Sequence, residues 1–299
     1  MVFATCKSAA AGALAVLALA APSAAQSPTG LSNQKPASEG KTDVATEGFQ
    51  TAPERAAEDE SKDGSHLKLS AGGFLSGGNS RTISYTASAD YSIRRSDSQF
   101  TVLAAANYGR SAPEDDGPLE TTVENYQGRL RYDYFVTSSI AAFLVGSARN
   151  DRFQGLNLRL NIGPGLAYYF IDEKEQGFWV ELGYDFQYDF RDPDYIDGLL
   201  LADPTLSLPE KEKRHNVRAF VGYDNQMAEA VTFSTGLEYL QNVEAAENAR
   251  LNFDAALAVQ INQAFAVAVT VSLKYDNNPL PGVEDTDLVT ALNLVYTMD

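Results

Sequence analysis

Arg129, Arg131 and Asp133 stand two residues apart, and Glu181 and Asp185 stand four apart. With Arg159, Arg218, Glu238, Asp254 and Lys274 they make ten charged residues on the polar phase of segments in which polar and apolar residues alternate. On a β-strand such spacing puts side chains on one face. Arg159, then Glu181 and Asp185, then Arg218 fall on successive segments, so opposite charges can meet. If that face encloses a lumen, two outcomes are open. Either the charges set up a field that steers ions or small polar solutes through a channel, or they lock into a salt-bridged plug that fills and stiffens the interior.

Hydrolytic chemistry would need a nucleophile or an activated water with a base in hydrogen-bond reach. The only imidazoles are His66 and His215. His66 opens the first strand-like segment and His215 the eighth, just after the longest loop, so they belong to opposite ends and cannot share a site. His215 also falls on the apolar phase. A rim site built from His215 and a loop acid such as Asp203 is the enzyme reading the residues allow, against a solvated interfacial histidine. No HExxH, GxSxG or phosphate-binding glycine loop occurs. Catalytic residues, cofactors and a dedicated metal site are therefore not expected. The longer loops are acidic: Glu114, Asp115, Asp116 and Glu120; Asp192, Asp194, Asp197 and Asp203; Glu284, Asp285 and Asp287. Such carboxylates could hold calcium or magnesium weakly and bridge lipopolysaccharide phosphates. None has an EF-hand-like spacing, and a solvated acidic rim accounts for them. The formal charge of −17 argues against a nucleic-acid partner, which needs a basic footprint.

The elements that must carry these charges are long strands. Phe178, Val180, Leu182, Tyr184, Phe186, Tyr188 and Phe190 alternate with Trp179, Glu181, Gly183, Asp185, Gln187 and Asp189. Strict alternation over about 13 residues is a β-strand. It exceeds the globular norm of roughly 5–6 and suits a tilted membrane crossing of ~9–11 plus overhang. The same rhythm predicts strands at 66–76, 80–93, 98–109, 122–135, 139–149, 156–170, 178–190, 214–224, 230–240, 250–261, 265–275 and 287–298. The fifth is apolar on both faces and its phase is open. Short turns alternate with mostly longer loops, and aromatics such as Tyr132, Tyr168, Phe190, Tyr223 and Tyr296 gather at strand ends. These features predict an all-β fold: a transmembrane antiparallel up-and-down β-barrel of about 12 strands. A soluble sandwich or lipocalin-like barrel also alternates. Strand length, the polar phase of small and charged residues, and the N-terminal targeting signal oppose it.

Residues 1–25 read as a signal peptide: Lys7, an apolar Ala9–Ala21 stretch and a Ser23-Ala24-Ala25 cleavage site. Cys6 precedes the apolar stretch, so it is not a lipid-attachment cysteine, and the mature chain carries no thiol. Residues 26–65 are rich in Ser, Pro, Gly, Ala and charge and predict a disordered periplasmic segment, a plain linker or a tether. Residues 66–299 are the barrel. The address is the outer membrane of a Gram-negative bacterium, with both termini periplasmic. The partners expected there are outer-membrane lipid, lipopolysaccharide and the barrel-insertion machinery, with oligomeric state undetermined.

Four stretches, GGNSRTISYTASADYSIRR (Gly77–Arg95), RYDYFVT (Arg131–Thr137), DRFQGLNLRLNIGPGLAYYF (Asp151–Phe170) and YDNNPLPGVEDTDLVTALNLVY (Tyr275–Tyr296), carry a family resemblance. Over about 67–298 the chain resembles the salt-induced outer-membrane protein family, defined by a domain of unknown function (481). The resemblance implies an outer-membrane β-barrel and no established activity. It departs from outer-membrane barrels in general at the C-terminus, where Thr297, Met298 and Asp299 follow the aromatic Tyr296. The expected function is a non-enzymatic envelope barrel, a small passive pore for ions or polar solutes linked to salt or osmotic stress. The alternatives are a hydrolase with a rim site at His215 and a structural or surface-binding barrel with a plugged lumen.

Overall fold

The computed structural model describes residues 63–76, 81–112, 118–173, 175–281 and 285–298. The predicted signal peptide and all but the last residues of the 26–65 segment lie outside the described residues. Twelve strands follow in order: β1 (Gly64–Ser76), β2 (Arg81–Arg95), β3 (Ser98–Ala112), β4 (Glu120–Phe135), β5 (Ile140–Asp151), β6 (Leu156–Asp172), β7 (Gln176–Arg191), β8 (Lys211–Ala228), β9 (Val231–Asn242), β10 (Ala249–Gln260), β11 (Phe265–Asp276) and β12 (Thr286–Met298). Each pairs antiparallel with its neighbours in sequence, and β1 closes on β12. The result is a closed twelve-stranded up-and-down barrel. The closing seam is short: six register pairs join Leu67–Gly72 to Asn293–Met298, against fifteen between β2 and β3.

Alternation decides which side chains face out. Leu166, Leu182, Val269 and Leu292 are 47–62% exposed, whereas Asp185 is 7% exposed. Apolar side chains on the outside and charges on the inside invert the soluble pattern and fit a hydrocarbon solvent. Aromatic rings pack along the outer wall near both ends of the strands. Tyr168, Phe170 and Phe178 stack successively at 4.7 and 5.3 Å, and Phe265 meets Tyr296 at 5.2 Å, beside the short turns. Tyr188 meets Phe190 at 4.5 Å beside the long loops. Tyrosine suits this depth because its ring is apolar and its hydroxyl seeks water. We call the two rims the turn end, which also holds both strand termini of the barrel, and the loop end.

Three features depart from the sequence reading. β5 has a defined phase: Ala141 and Phe143 are buried inside and Leu144 is exposed outside. Both faces are apolar because its inner face joins an internal aromatic layer described below. β8 is longer than expected at both ends: Lys211–Lys213 continue the ladder against β7, with Lys211 opposite Phe190, and Asn225–Ala228, expected as a turn, continue it against β9. The loop between β7 and β8 contains a helix, α1 (Pro193–Ala202). Its start is fixed by Asp192, whose side chain accepts from the Asp194 N–H, and by Pro193 in the first turn. Ile196 is its buried residue, and the Tyr195 ring lies against Gly155, where φ is +59° and an added Cβ would come within 2.3 Å of the ring. Of the Leu199–Leu201 patch, Leu199 and Leu200 are half-buried and Leu201 is exposed.

A charge on the outer wall should be costly. Val269→Arg, facing Leu257 and Leu292 mid-strand, is expected to lower stability by about 2–4 kcal/mol. Denaturant titration of the barrel folded into lipid vesicles measures this. A loss under half a kcal/mol would contradict the outward assignment.

Candidate functional site

Near the turn end the inward positions of β4 to β8 are mostly apolar. Ala141, Phe143, Ala167, Tyr169, Trp179 and Phe220 form a buried cluster, with Phe135 and Val145 packed against it. Trp179 and Phe220 lie 6.2 Å apart and Phe135 and Tyr169 6.1 Å. The rings cover glycines on the next strand. A Cβ at Gly222 would stand 2.2 Å from the Trp179 ring, and one at Gly165 would stand 2.3 Å from Phe143. The opposite half of the wall carries small inward residues, among them Ala268, Thr270 and Ser272, each under 8% exposed. A bulky half-wall against a small one is how a narrow lumen is filled.

A chain of ion pairs lies on this aromatic layer. Arg131 donates to Asp133 at 2.8–3.0 Å and forms an ion pair with Glu181 at 2.9 Å. Glu181 accepts from Arg218 at 2.6 Å, and Arg218 reaches Glu238 at 2.5 Å, which also accepts from Asn252 at 2.9 Å. The chain links β4, β7, β8, β9 and β10. Arg131 sits 4.2 Å from the Phe143 ring centre and Arg218 5.3 Å from that of Phe220, a cation–π arrangement. Glu181 and Asp133 are fully buried, so each charge depends on its partners: an unpaired one would carry an uncompensated desolvation cost.

Toward the loop end the lumen opens into a cavity of about 580 Å³. Its walls carry a second network. Arg159 grips Asp189 with two bonds of 2.7 Å, and Gln187 donates to the same carboxylate at 2.9 Å. Asp185 accepts from Asn161 and Asn216, each at 2.9 Å. Glu212 is shared by Arg191 and Arg214. The mouth is bordered by 206–209 and 278–281, which bring Leu208-Pro209 and Leu280-Pro281 to the rim. The first lip is tied down: Arg191 donates to the Pro209 carbonyl at 3.2 Å, and Thr205 donates to Asp203 from its hydroxyl at 2.6 Å and its amide at 2.9 Å. Those two bonds, the hydroxyl first, hold the Asp203 carboxyl below the usual carboxylate range.

The ten expected lumen charges all lie on inward phases, but they do not form one set. Arg131, Asp133 and Glu181 are sealed in the ion chain, while Arg129, Arg159, Asp185, Arg218, Glu238 and Lys274 line the cavity. Asp254, on the same phase of β10, is half-buried and outside the cavity lining. Arg159 pairs with Asp189 rather than with Glu181 or Asp185. The wall also holds Arg149, Asp189, Arg191, Glu212, Arg214 and Arg250. Several extend phases already visible, as Asp189 and Arg191 extend Glu181 and Asp185. Arg149 was hidden by the two-faced apolarity of β5. The histidine alternative is not assembled. His215 sits on the outer wall, hydrogen-bonded to the Tyr184 hydroxyl and 5.2 Å from the Phe186 ring, whereas Asp203 is engaged by Thr205. His66 lies on β1 at the turn end. Among the described residues no group of three or more His, Cys, Asp or Glu could hold a metal ion.

The family model described as "Protein of unknown function, DUF481" matches residues 69–298. The uncharacterized protein YdiY of Escherichia coli K12 is 25% identical over 231 residues, covering 77% of this chain and 82% of that protein. Among solved structures, the NanC porin aligns with 77% of this chain and 97% of its own, at 10% identity and a TM-score of 0.44. An outer-membrane channel from Pseudomonas putida F1 aligns with 85% of this chain and 99% of its own, at 12% identity and a TM-score of 0.43.

Removing the shared carboxylate should be felt by both its arginines. Glu181→Gln leaves Arg131 and Arg218 each one counter-charge short, and is expected to destabilise the barrel by about 3–5 kcal/mol. Loss of heat-resistant compact migration on a gel and a lowered denaturant midpoint measure this; a wild-type midpoint would contradict it.

Proposed function

This chain belongs to the DUF481 family, and we propose that it is a non-enzymatic outer-membrane β-barrel that admits small polar solutes or ions from outside into a charged vestibule and restricts their passage inward. In this reading the loop end faces the exterior, and the turn end and both termini face the periplasm. That orientation follows the rule of short periplasmic turns and longer external loops. The partners are outer-membrane lipid and lipopolysaccharide around the aromatic belts, and the barrel-insertion machinery during assembly. The link to salt or osmotic stress is carried by the family resemblance alone.

The observation that supports this reading is the stacking of one compartment on another. An open cavity with mixed charge lies directly over the Arg131–Glu181–Arg218 chain and the aromatic layer beneath it. The lower layer favours restriction over free diffusion, because opening it means parting buried ion pairs. The absence of enzymatic chemistry is part of the proposal. Its support is that the His215 imidazole is turned to the outer wall and engaged by Tyr184, away from the vestibule.

Planar-bilayer recording tests it. The wild-type barrel is expected to show small, infrequent conductance. Glu181→Ala with Arg218→Ala, which removes both charges of one buried pair, is expected to raise conductance by at least about threefold. Large steady wild-type conductance unaltered by this double variant would overturn the restriction. Hydrolysis of an ester or peptide substrate that is lost in His215→Ala would overturn the non-enzymatic reading.

A further inference from the structure

The vestibule is lined by eight basic side chains and six acidic ones, in a chain whose overall charge is −17. Most of the basic groups are committed. Arg149 is paired with Asp151, Arg159 with Asp189, Arg191 and Arg214 with Glu212, and Arg218 with Glu181 and Glu238. Two are not. Arg129 is 8% exposed, lines the cavity, and makes no hydrogen bond or ion pair among the described residues. Arg250 lines the same cavity and bonds only the side-chain oxygen of Gln187 among the described residues.

The neighbouring carboxylates are shared with other cations. Arg129 feels Glu181 and Glu238, but both accept from Arg218, and the Arg131 and Arg218 cations are its largest electrostatic neighbours. Arg250 feels Asp185 and Asp276, and also the Arg159 and Arg214 cations. A guanidinium withdrawn from water without a counter-charge is costly, and an anion that reaches it recovers that cost. Guanidinium also offers paired donors matched to carboxylate and phosphate oxygens. The cavity volume lies within the range of small-ligand sites, roughly 300–1,000 Å³.

We propose that the vestibule binds a small carboxylate- or phosphate-bearing anion entering from the loop end, with the Arg129 and Arg250 guanidiniums as its principal partners. This deepens the reading of the cavity as a solute vestibule and rests on it, but it does not require conduction.

Isothermal titration of the purified full-length barrel in detergent, with citrate and with inorganic phosphate, tests it; sucrose and spermidine serve as neutral and cationic controls. The expected result is saturable binding of at least one anion, weakened by added sodium chloride and absent for both controls. The stronger of the two anions assigns the ligand's acidic group. Arg129→Gln with Arg250→Gln is expected to weaken that binding at least about tenfold, since each loses charge-assisted bonds. Strand circular dichroism confirms that the variant is folded; should it fail to fold, each single variant replaces it. Failure of both anions to bind, equal binding of spermidine, or unchanged affinity in the folded variants would overturn the proposal. A barrel that binds citrate but is silent in bilayers ends the channel reading and keeps this one. A conducting barrel that binds neither anion does the reverse.

Discussion

In hydrocarbon a backbone amide or carbonyl without a partner costs several kcal/mol, and no water is present to supply one. Every other property of this molecule follows from meeting that condition with strands. Strands satisfy it only if the sheet has no edge, so β12 must return to β1. Closure then fixes the two environments. Successive side chains must go alternately to lipid and to lumen, and a sequence that alternates Leu182 and Tyr184 with Glu181 and Asp185 can be placed in one way.

Enclosing charge creates a second problem, which the inner wall solves by division. Near the turn end the lumen is filled by buried aromatic side chains, and the charges above it are consumed by one another. Arg131, Glu181, Arg218 and Glu238 each touch an opposite charge, and the guanidiniums rest on Phe143 and Phe220. Nearer the loop end there is room, and satisfaction is looser. Asp185 is held by two amides, and Arg129 makes no hydrogen bond or ion pair among the described residues. The same residue types thus form a closed structural layer at one depth and an accessible polar surface at another. The large rings of β5 to β8 decide where one becomes the other.

The wall was far more legible than its contents. Period-two patterning over β7 or β10 leaves little choice of structure, and the turn and loop lengths order the strands without further information. β5 resisted because Phe143 and Val145 face inward into an apolar layer while Ile140 and Leu144 face lipid, so both phases look alike. That layer had left a trace: Trp179 and Phe220 sit on otherwise polar phases, and a large ring there signals a filled lumen. Pairing was hidden for a different reason. Arg131 and Glu181 come from β4 and β7, with two strands between them, and alternation specifies a face but not which depths meet across it. α1 was readable from Asp192 and Pro193, a cap followed by a first-turn proline, but its ten residues show too little apolar periodicity to stand out from a loop.

The wall is not equally strong around its circumference. Among the described residues the ladder runs for fifteen pairs where β2 meets β3, but for six where the first strand greets the last, from Leu67 to Gly72 of β1. Sideways parting of neighbouring strands costs least where the fewest hydrogen bonds cross. Among the described residues that line is the one along which the first and last strands come together.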